Sequence, residues 1–359
     1  MDEQIFALQP YGGISRMFAS LARQFFARPE LSVELLPLAA PVINRYVLDD
    51  DLVRERLAVW DAGHEYKSVA RYFMRVQPRR GLDVVHNTFY LPHGLASYPG
   101  ARRIVTVHDM IPEMMPTTRR RLDFLTLKKR YVKSADHVIC VSEATRSDLE
   151  ATYGPLKVPV SVIHHGVDPR FSPDAPALNA LPSSYVLFVG HRGQYKDAAV
   201  LLDAFAEIAD RYPELTLLFV GGGAFTAEER SRLRASGIED RTLQTSLADD
   251  HMPSVYAHAA AFVFPSRFEG FGLPALEAFA CGTPTILAQS TSLPEVGGDA
   301  AMYFEPGDAH ELAERLSQVL DDGNLRDQLS ERGLARAHLF TWDKTAEQTV
   351  RVYQEAITR

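Results

Sequence analysis

Two acids stand eight residues apart in Glu269-Gly-Phe-Gly-Leu-Pro-Ala-Leu-Glu277. The glycines forbid one continuous helix, so Glu269 is expected in a loop and Glu277 about one turn into a helix opening near Leu273. Even on a single helix the pair would be rotated by roughly 80° and separated by about 12 Å. They are therefore suited to two different parts of one long ligand rather than to one atom. At the helix N-terminus the amides of Phe271, Gly272 and Leu273 would favour anionic or hydroxyl-rich groups. A second constellation is Gly190-His191-Arg192-Gly193-Gln194-Tyr195-Lys196-Asp197. Arg192 and Lys196 place two fixed charges among glycines, which suits a departing diphosphate whose negative charge develops in the transition state. The same charges would also be at home as solvated loop residues. Gly12-Gly13 before an apolar-periodic helix offers amides to a phosphate, or is a plain turn. Gly221-Gly222-Gly223 leaves the same two readings open. His108 closes a strand; an isolated histidine there is more often a satisfied core residue than a ligand.

Positioning such residues takes strands that end where the chemistry begins. Val33–Leu38, Asp83–His86, Arg103–Val107 and His137–Val141 read as strands, interleaved with helical runs near 51–60, 66–77, 119–134 and 143–153. Ser142 fits a helix N-cap. Residues 169–184 interrupt the pattern with Pro169, Pro173, Pro176 and Pro182, and read as a linker. Alternation resumes with strands at Tyr185–Val189, Leu215–Val220, Thr242–Gln244, Ala261–Phe264, Thr285–Leu287 and Ala301–Phe304, and closes on amphipathic helices from about 309. Thr226–Glu229 and Ser292–Glu295 both match the capping box. This is an α/β chain of two doubly wound parallel sheets. Ligands in such sheets bind beyond the strand carboxyl ends, where His86, His108, Arg192 and Glu269 all fall.

The 359 residues suffice for two cores, and 46% hydrophobic with 23% charged is a globular composition. No apolar run approaches the ~18 residues of a membrane span, and no charged-then-apolar leader opens the chain, so a cytoplasmic location is expected. Cys140 and Cys281 lack ligand spacing and read as buried thiols in a reducing compartment. Residues 1–163 carry 22 basic and 18 acidic side chains, the remainder 16 and 28, so the halves are expected to meet different partners. No nucleic-acid module is present. The acidic runs Asp49–Asp51 and Asp249–Asp250 lack a third ligand after a strong strand and read as solvated surface. His164-His165 lacks metal spacing. Basic residues crowd 117–134 (Arg119, Arg120, Arg121, Lys128, Lys129, Arg130, Lys133), forming a solvated helix or a face for an anionic membrane or a lipid-linked acceptor.

Glu269-Gly-Phe-Gly-Leu-Pro-x-Leu-Glu277, continuing to Cys281-Gly-Thr-Pro284, closely resembles the Glu-x7-Glu signature of the family 4 retaining glycosyltransferases, and the likeness extends over nearly the whole chain. It implies GT-B architecture: two Rossmann-like domains facing across a cleft. The divisions expected are an acceptor-binding domain over 1–168, the linker 169–184, a nucleotide-sugar domain over 185–340 and a helix in 341–359 returning to the first domain. By resemblance Glu269 takes sugar hydroxyls, Glu277 the ribose, and Gly270, Phe271, Gly272 and Leu273 the sugar and phosphate. Arg192 and Lys196 hold the diphosphate, Gly12 and Gly13 lie beneath it, and His108 contacts the sugar near its 6-position. Glu295 matches a recurrent family position, though capping explains it fully. The resemblance further implies metal-independent chemistry without a cofactor. The motif style is similar to bacterial mannosyltransferases of surface-polysaccharide assembly, with GDP-mannose as donor and a glycan or lipid-linked acceptor; UDP-glucose or UDP-N-acetylglucosamine is the alternative. Members carry an apolar strand before the Asp-x-Gln-x-Phe run, whereas here Met1 abuts Asp2, so either an upstream start or a truncated central strand is expected. A silent nucleotide-sugar-binding subunit would lack Glu269, Arg192 or Lys196. A dehydrogenase would show Gly-x-Gly-x-x-Gly, which is absent.

Overall fold

The computed structural model describes residues 1–2, 4–36, 42–56, 79–115 and 122–359. They form two compact units, Met1–Gly166 together with Trp342–Arg359, and Val167–Thr341. The expected helix at 66–77 and the arginines 119–121 lie outside the described residues.

In the first unit, β1 (Val84–Asn87), β2 (Arg102–Val107), β3 (His137–Cys140) and β4 (Val160–Val162) pair in parallel in that order. Their valines and isoleucines suit strands covered on both faces. The three-residue β4 was not among the expected strands, being too short to show a period. Of the strand expected over 33–38, Leu36 makes a single bridge with Asp2, whose N–H donates to the His86 carbonyl. The buried Asp2 carboxylate accepts from Gln4, Asn87 and both the amide and the hydroxyl of Thr88, which satisfies an otherwise costly charge.

Helices α1 (Gly13–Phe26), α2 (Leu122–Ser134) and α3 (Glu143–Tyr153) cover this sheet, α3 capped by Ser142 as its sequence suggests. The C-terminal helix Trp342–Thr358 belongs here too: Val352 and Ala356 pack on Ile104, Ile139 and Ile163. Lys128 corrects the reading of a wholly solvated basic face. It is 2% exposed, ion-paired with Glu113 at 3.0 Å and bonded to the Asp109 carbonyl. Lys129, Arg130 and Lys133 remain exposed.

The second unit holds β5 (Tyr185–Val189), β6 (Thr216–Val220), β7 (Thr242–Thr245), β8 (Ala261–Phe264), β9 (Thr285–Ala288) and β10 (Met302–Phe304). All pair in parallel, in the order β10-β9-β8-β5-β6-β7. Strand order therefore reverses between β5 and β8, the topological switch point of a dinucleotide-type sheet. Residues 169–184 are part of this unit rather than a free connection. Phe171 packs edge-on to Tyr256 at 5.8 Å, and Arg170 pairs with Asp249 and, at 3.1 Å, with Asp250. Proline punctuation alone could not show that the segment folds onto this unit.

Among the described residues His86, His137 and His165 are buried in the first unit. His86 bonds Tyr353 and Thr106 through its two nitrogens, both at 2.7 Å, and is a core residue rather than a ligand. Burial lowers His86 and His165 from the ordinary 6.5 to about 3. A base whose pKa falls on folding leaves the unfolded chain binding more protons between those values. The stability it contributes is complete above pH 6.5 and is lost as pH falls towards 3. Each imidazole contributes up to about 1.4 kcal/mol per pH unit across that window. Imidazole NMR at pH 5 should show His86 and His165 neutral while the exposed His310, raised by Glu207 and Glu314, is protonated. Midpoints in urea should fall together from pH 6.5 to 5; simultaneous titration of all three histidines would contradict the assignment.

Candidate active site

The switch point carries an ion pair. Lys196 follows β5 and Glu269 follows β8, the two strands between which the order reverses, and Lys196 Nζ lies 2.5 Å from Glu269 Oε1. Their side chains are 13% and 12% exposed. The ammonium also sits 4.4 Å from the centre of the Phe264 ring, a desolvated cation–π contact. A second tie joins the two loops: Arg267 donates its amide to the Tyr195 carbonyl at 2.7 Å and its Nε to the Asp197 carboxylate at 2.6 Å. The distance between these loops is thereby set on both sides of the Lys196–Glu269 pair.

Helix α4 (Ala198–Ile208) follows Lys196, and α5 (Ala227–Ala235) opens on Thr226 with both bonds of the expected capping box. Arg192 is engaged by acceptors within the protein. Its side chain is 5% exposed, Nε meets Glu229 at 2.6 Å, and the terminal nitrogens donate to the carbonyls of Gly221, Gly223 and Ala224 at 3.0–3.2 Å. The guanidinium also faces Phe225 at 4.7 Å. Gly221, Gly222 and Gly223 all have positive φ, and a Cβ on Gly222 would come within 2.8 Å of Arg192. Arg192 thus builds the three-glycine loop beyond β6, and its donors are taken by protein acceptors. Burial pushes Glu229 up, but its bonds to Arg192 and Thr226 outweigh this and hold it below the ordinary carboxylate range.

Helix α6 (Leu273–Ala280) begins after Gly272 at φ +119°, as the glycine pair suggests. Glu277 is in its second turn but is not on the surface. It is 7% exposed and accepts from the Tyr256 hydroxyl at 2.9 Å. Nothing in the local pattern pointed to Tyr256, which lies 21 residues upstream. Phe271 is buried against Phe340, anchoring the loop that runs from Glu269 to Leu273. Helix α7 (Leu293–Gly297) corrects a second expectation: Ser292 makes no side-chain cap. Its hydroxyl turns to the Glu269 and Phe271 carbonyls, at 3.0 and 2.8 Å.

In the first unit Gly12 is the N-cap of α1 and Gly13 its first residue, and a Cβ on Gly12 would collide with the Gln9 side chain. His108 lies beyond the end of β2, between Phe18 (5.7 Å) and His165 (6.2 Å). Its Nε2 is enclosed without a hydrogen-bond partner. Burial, then the neighbouring His165, His86 and Lys128, holds its pKa well below 6.5, so the ring is neutral. The acids Asp49, Asp50, Asp249 and Asp250 each face an arginine: Arg45, Arg23 and, for the last two, Arg170. Among the described residues no helix is long and apolar enough to cross a membrane.

Residues 175–336 match the family described as "Glycosyl transferases group 1", and residues 11–171 that described as "Glycosyltransferase Family 4". The O-antigen chain mannosyltransferase B of Escherichia coli is 31% identical over 285 residues, 74% of this chain and 72% of the relative. The MMP alpha-(1->4)-mannosyltransferase of Mycolicibacterium hassiacum is 29% identical over 100% of this chain and 91% of its own. Among solved structures, Anabaena HepE in complex with UDP and glucose superposes with a TM-score of 0.70 at 19% identity, covering 96% of each chain.

A buried guanidinium committed to protein acceptors should behave as one unit with its carboxylate. Arg192→Ala and Glu229→Gln should each destabilise the protein by about 2 kcal/mol in urea unfolding, because each strands a partner. The double variant should lose much less than the two losses added together. Additive losses, or none, would show that Arg192 is not held as described.

Proposed function

This chain belongs to the family 4 glycosyltransferases of GT-B architecture, and on that premise we propose that it transfers mannose from GDP-mannose to a glycan or lipid-linked acceptor in surface-polysaccharide synthesis, with retention at the anomeric carbon. The observation that carries the reading is the Lys196–Glu269 pair at the reversal of strand order. A nucleotide sugar joins a neutral, hydroxyl-rich hexose to an anionic diphosphate. An ammonium and a carboxylate at hydrogen-bond distance can serve those two parts together. Glu269 would accept from sugar hydroxyls, and the amides around Gly272 would face the sugar and phosphate. Buried Glu277, steadied by Tyr256, would accept from the ribose. The mannosyl choice rests on the two mannosyltransferase relatives.

In the transfer step the bond from the anomeric carbon to the diphosphate oxygen breaks and a bond to the acceptor oxygen forms on the same face. The acceptor proton passes to the departing phosphate oxygen, and Lys196 stabilises the negative charge left there. Lys196 alone is assigned this task, since Arg192 is engaged with the loop it builds. No metal enters the proposal. His108, whose ring is held neutral, would suit a hydrogen bond with a sugar hydroxyl. For a lipid-linked acceptor, Lys129, Arg130 and Lys133 are the described exposed residues that could meet an anionic surface.

Released mannose should accumulate from GDP-mannose ahead of UDP-glucose and UDP-N-acetylglucosamine, and should persist in excess EDTA. Lys196→Ala should lower kcat/KM by about 10²-fold. A preference for a UDP-sugar would overturn the donor, and strict dependence on a divalent ion the metal-free reading. The two glutamates should also separate. Glu269→Gln should impair transfer while leaving GDP affinity intact, and Glu277→Gln should weaken GDP, which has the ribose but no sugar. Calorimetry showing equal losses of GDP affinity would remove that division.

A further inference from the structure

Among the described residues only Asp197 and Thr291 combine a side chain with positive φ, at +46° and +43°. Both adjoin the ion pair: Asp197 follows Lys196 in the chain, and Thr291 Oγ1 accepts the Glu269 amide at 3.0 Å. A β-branched residue in the left-handed region is a genuine outlier and persists only where surrounding bonds over-determine it. The bonds are present. Ser290 Oγ donates to the Ser266 carbonyl at 2.6 Å. Ser292 Oγ, fully buried, lies 3.0 and 2.8 Å from the Glu269 and Phe271 carbonyls. Three consecutive hydroxyls on the loop beyond β9 thus bond the backbone of Ser266–Phe271, the segment that carries Glu269.

We infer that Ser290-Thr291-Ser292 is a positioning element that sets where the Glu269 carboxylate meets the donor sugar. The inference rests on the proposed glycosyltransferase reaction and goes beyond the residues assigned to it. A glycine at 291 would relieve the strain but would leave the Glu269 amide without its acceptor. Threonine keeps the acceptor at the expense of backbone strain. Thr291 touches Glu269 through the backbone, so it governs the angle and depth of the carboxylate. The nucleoside end of the donor, assigned to Glu277 on α6, lies outside the strap's bonds. Loss of the strap should therefore appear in sugar transfer and sugar discrimination and spare nucleoside-diphosphate binding.

The test uses the full chain with Thr291→Val, Thr291→Gly and Thr291→Ser. Hydrogen exchange of the Glu269 amide, measured without substrate, should accelerate about tenfold or more in Val and Gly, which lack the acceptor, and return to the wild-type rate in Ser. Transfer kcat/KM should fall about tenfold or more in the same two variants, as expected for a misplaced contact, with GDP affinity unchanged by calorimetry. Thr291→Ser should recover both. Wild-type exchange in Thr291→Val would overturn the strap whatever the enzyme's substrate. A kcat/KM loss that tracks a loss of GDP affinity would overturn it equally, as general damage to the unit. If the wild type hydrolyses no nucleotide sugar, the glycosyltransferase reading fails separately, and with it the sugar-positioning role; exchange then reports only on the bond.

Discussion

An ammonium and a carboxylate withdrawn from water at the reversal of a parallel sheet form the constraint on which the second unit turns. Each of Lys196 and Glu269, little exposed at 13% and 12%, offsets the other's partial loss of water. The pair is possible because β5 and β8 are neighbours in space although 71 residues, 190–260, lie between the end of one strand and the start of the other. Parallel pairing brings both carboxyl ends to one edge, and every contact of the two loops follows from that: Arg267 on Tyr195 and Asp197, and the hydroxyls beyond β9 on the Glu269 segment. On the proposed reading, charge sits at these strand ends before any substrate arrives, so little need reorganise when a second anion forms.

The two cations of the Gly190 loop divide their labour by shape. A guanidinium is planar, presents five donors in a fixed fork and tolerates partial burial, which suits Arg192 to three carbonyls and a carboxylate together. The compact ammonium of Lys196, on a flexible stem, can pass from a carboxylate to a phosphate oxygen. Arginine therefore builds the loop, and on the proposed reading lysine acts in it. Exchanging the two would supply the same net charge and neither role.

Much of this was legible in the chain. The Glu269–Glu277 spacing, the glycine-forced break before α6 and the strands Tyr185–Val189 and Ala261–Phe264 are local properties, and apolar runs bounded by glycine announce them. The contacts of Arg192 were not legible, because a guanidinium's acceptors are chosen by a loop about thirty residues away. Ser292 was read as a helix cap from a pattern that is right at Thr226, yet its hydroxyl finds two carbonyls of a neighbouring loop. Lys128 looked like its basic neighbours until its place on the inner side of α2, against Glu113, was known. These three each concern a polar side chain choosing among partners distant in sequence, whereas β4 is too short to show a period and the placement of 169–184 is decided by packing.

The first unit is discontinuous, and that has a consequence for how the protein is made. Its sheet packs on Val352 and Ala356, and His86 finds its Nδ1 partner in Tyr353. The second unit is an unbroken stretch from Val167 to Thr341. During synthesis the earlier-translated unit must therefore wait with part of its apolar surface and a buried imidazole uncovered, while the later one can close first. Order of translation and order of completion are reversed, and a helix translated after the second unit seals the unit translated before it.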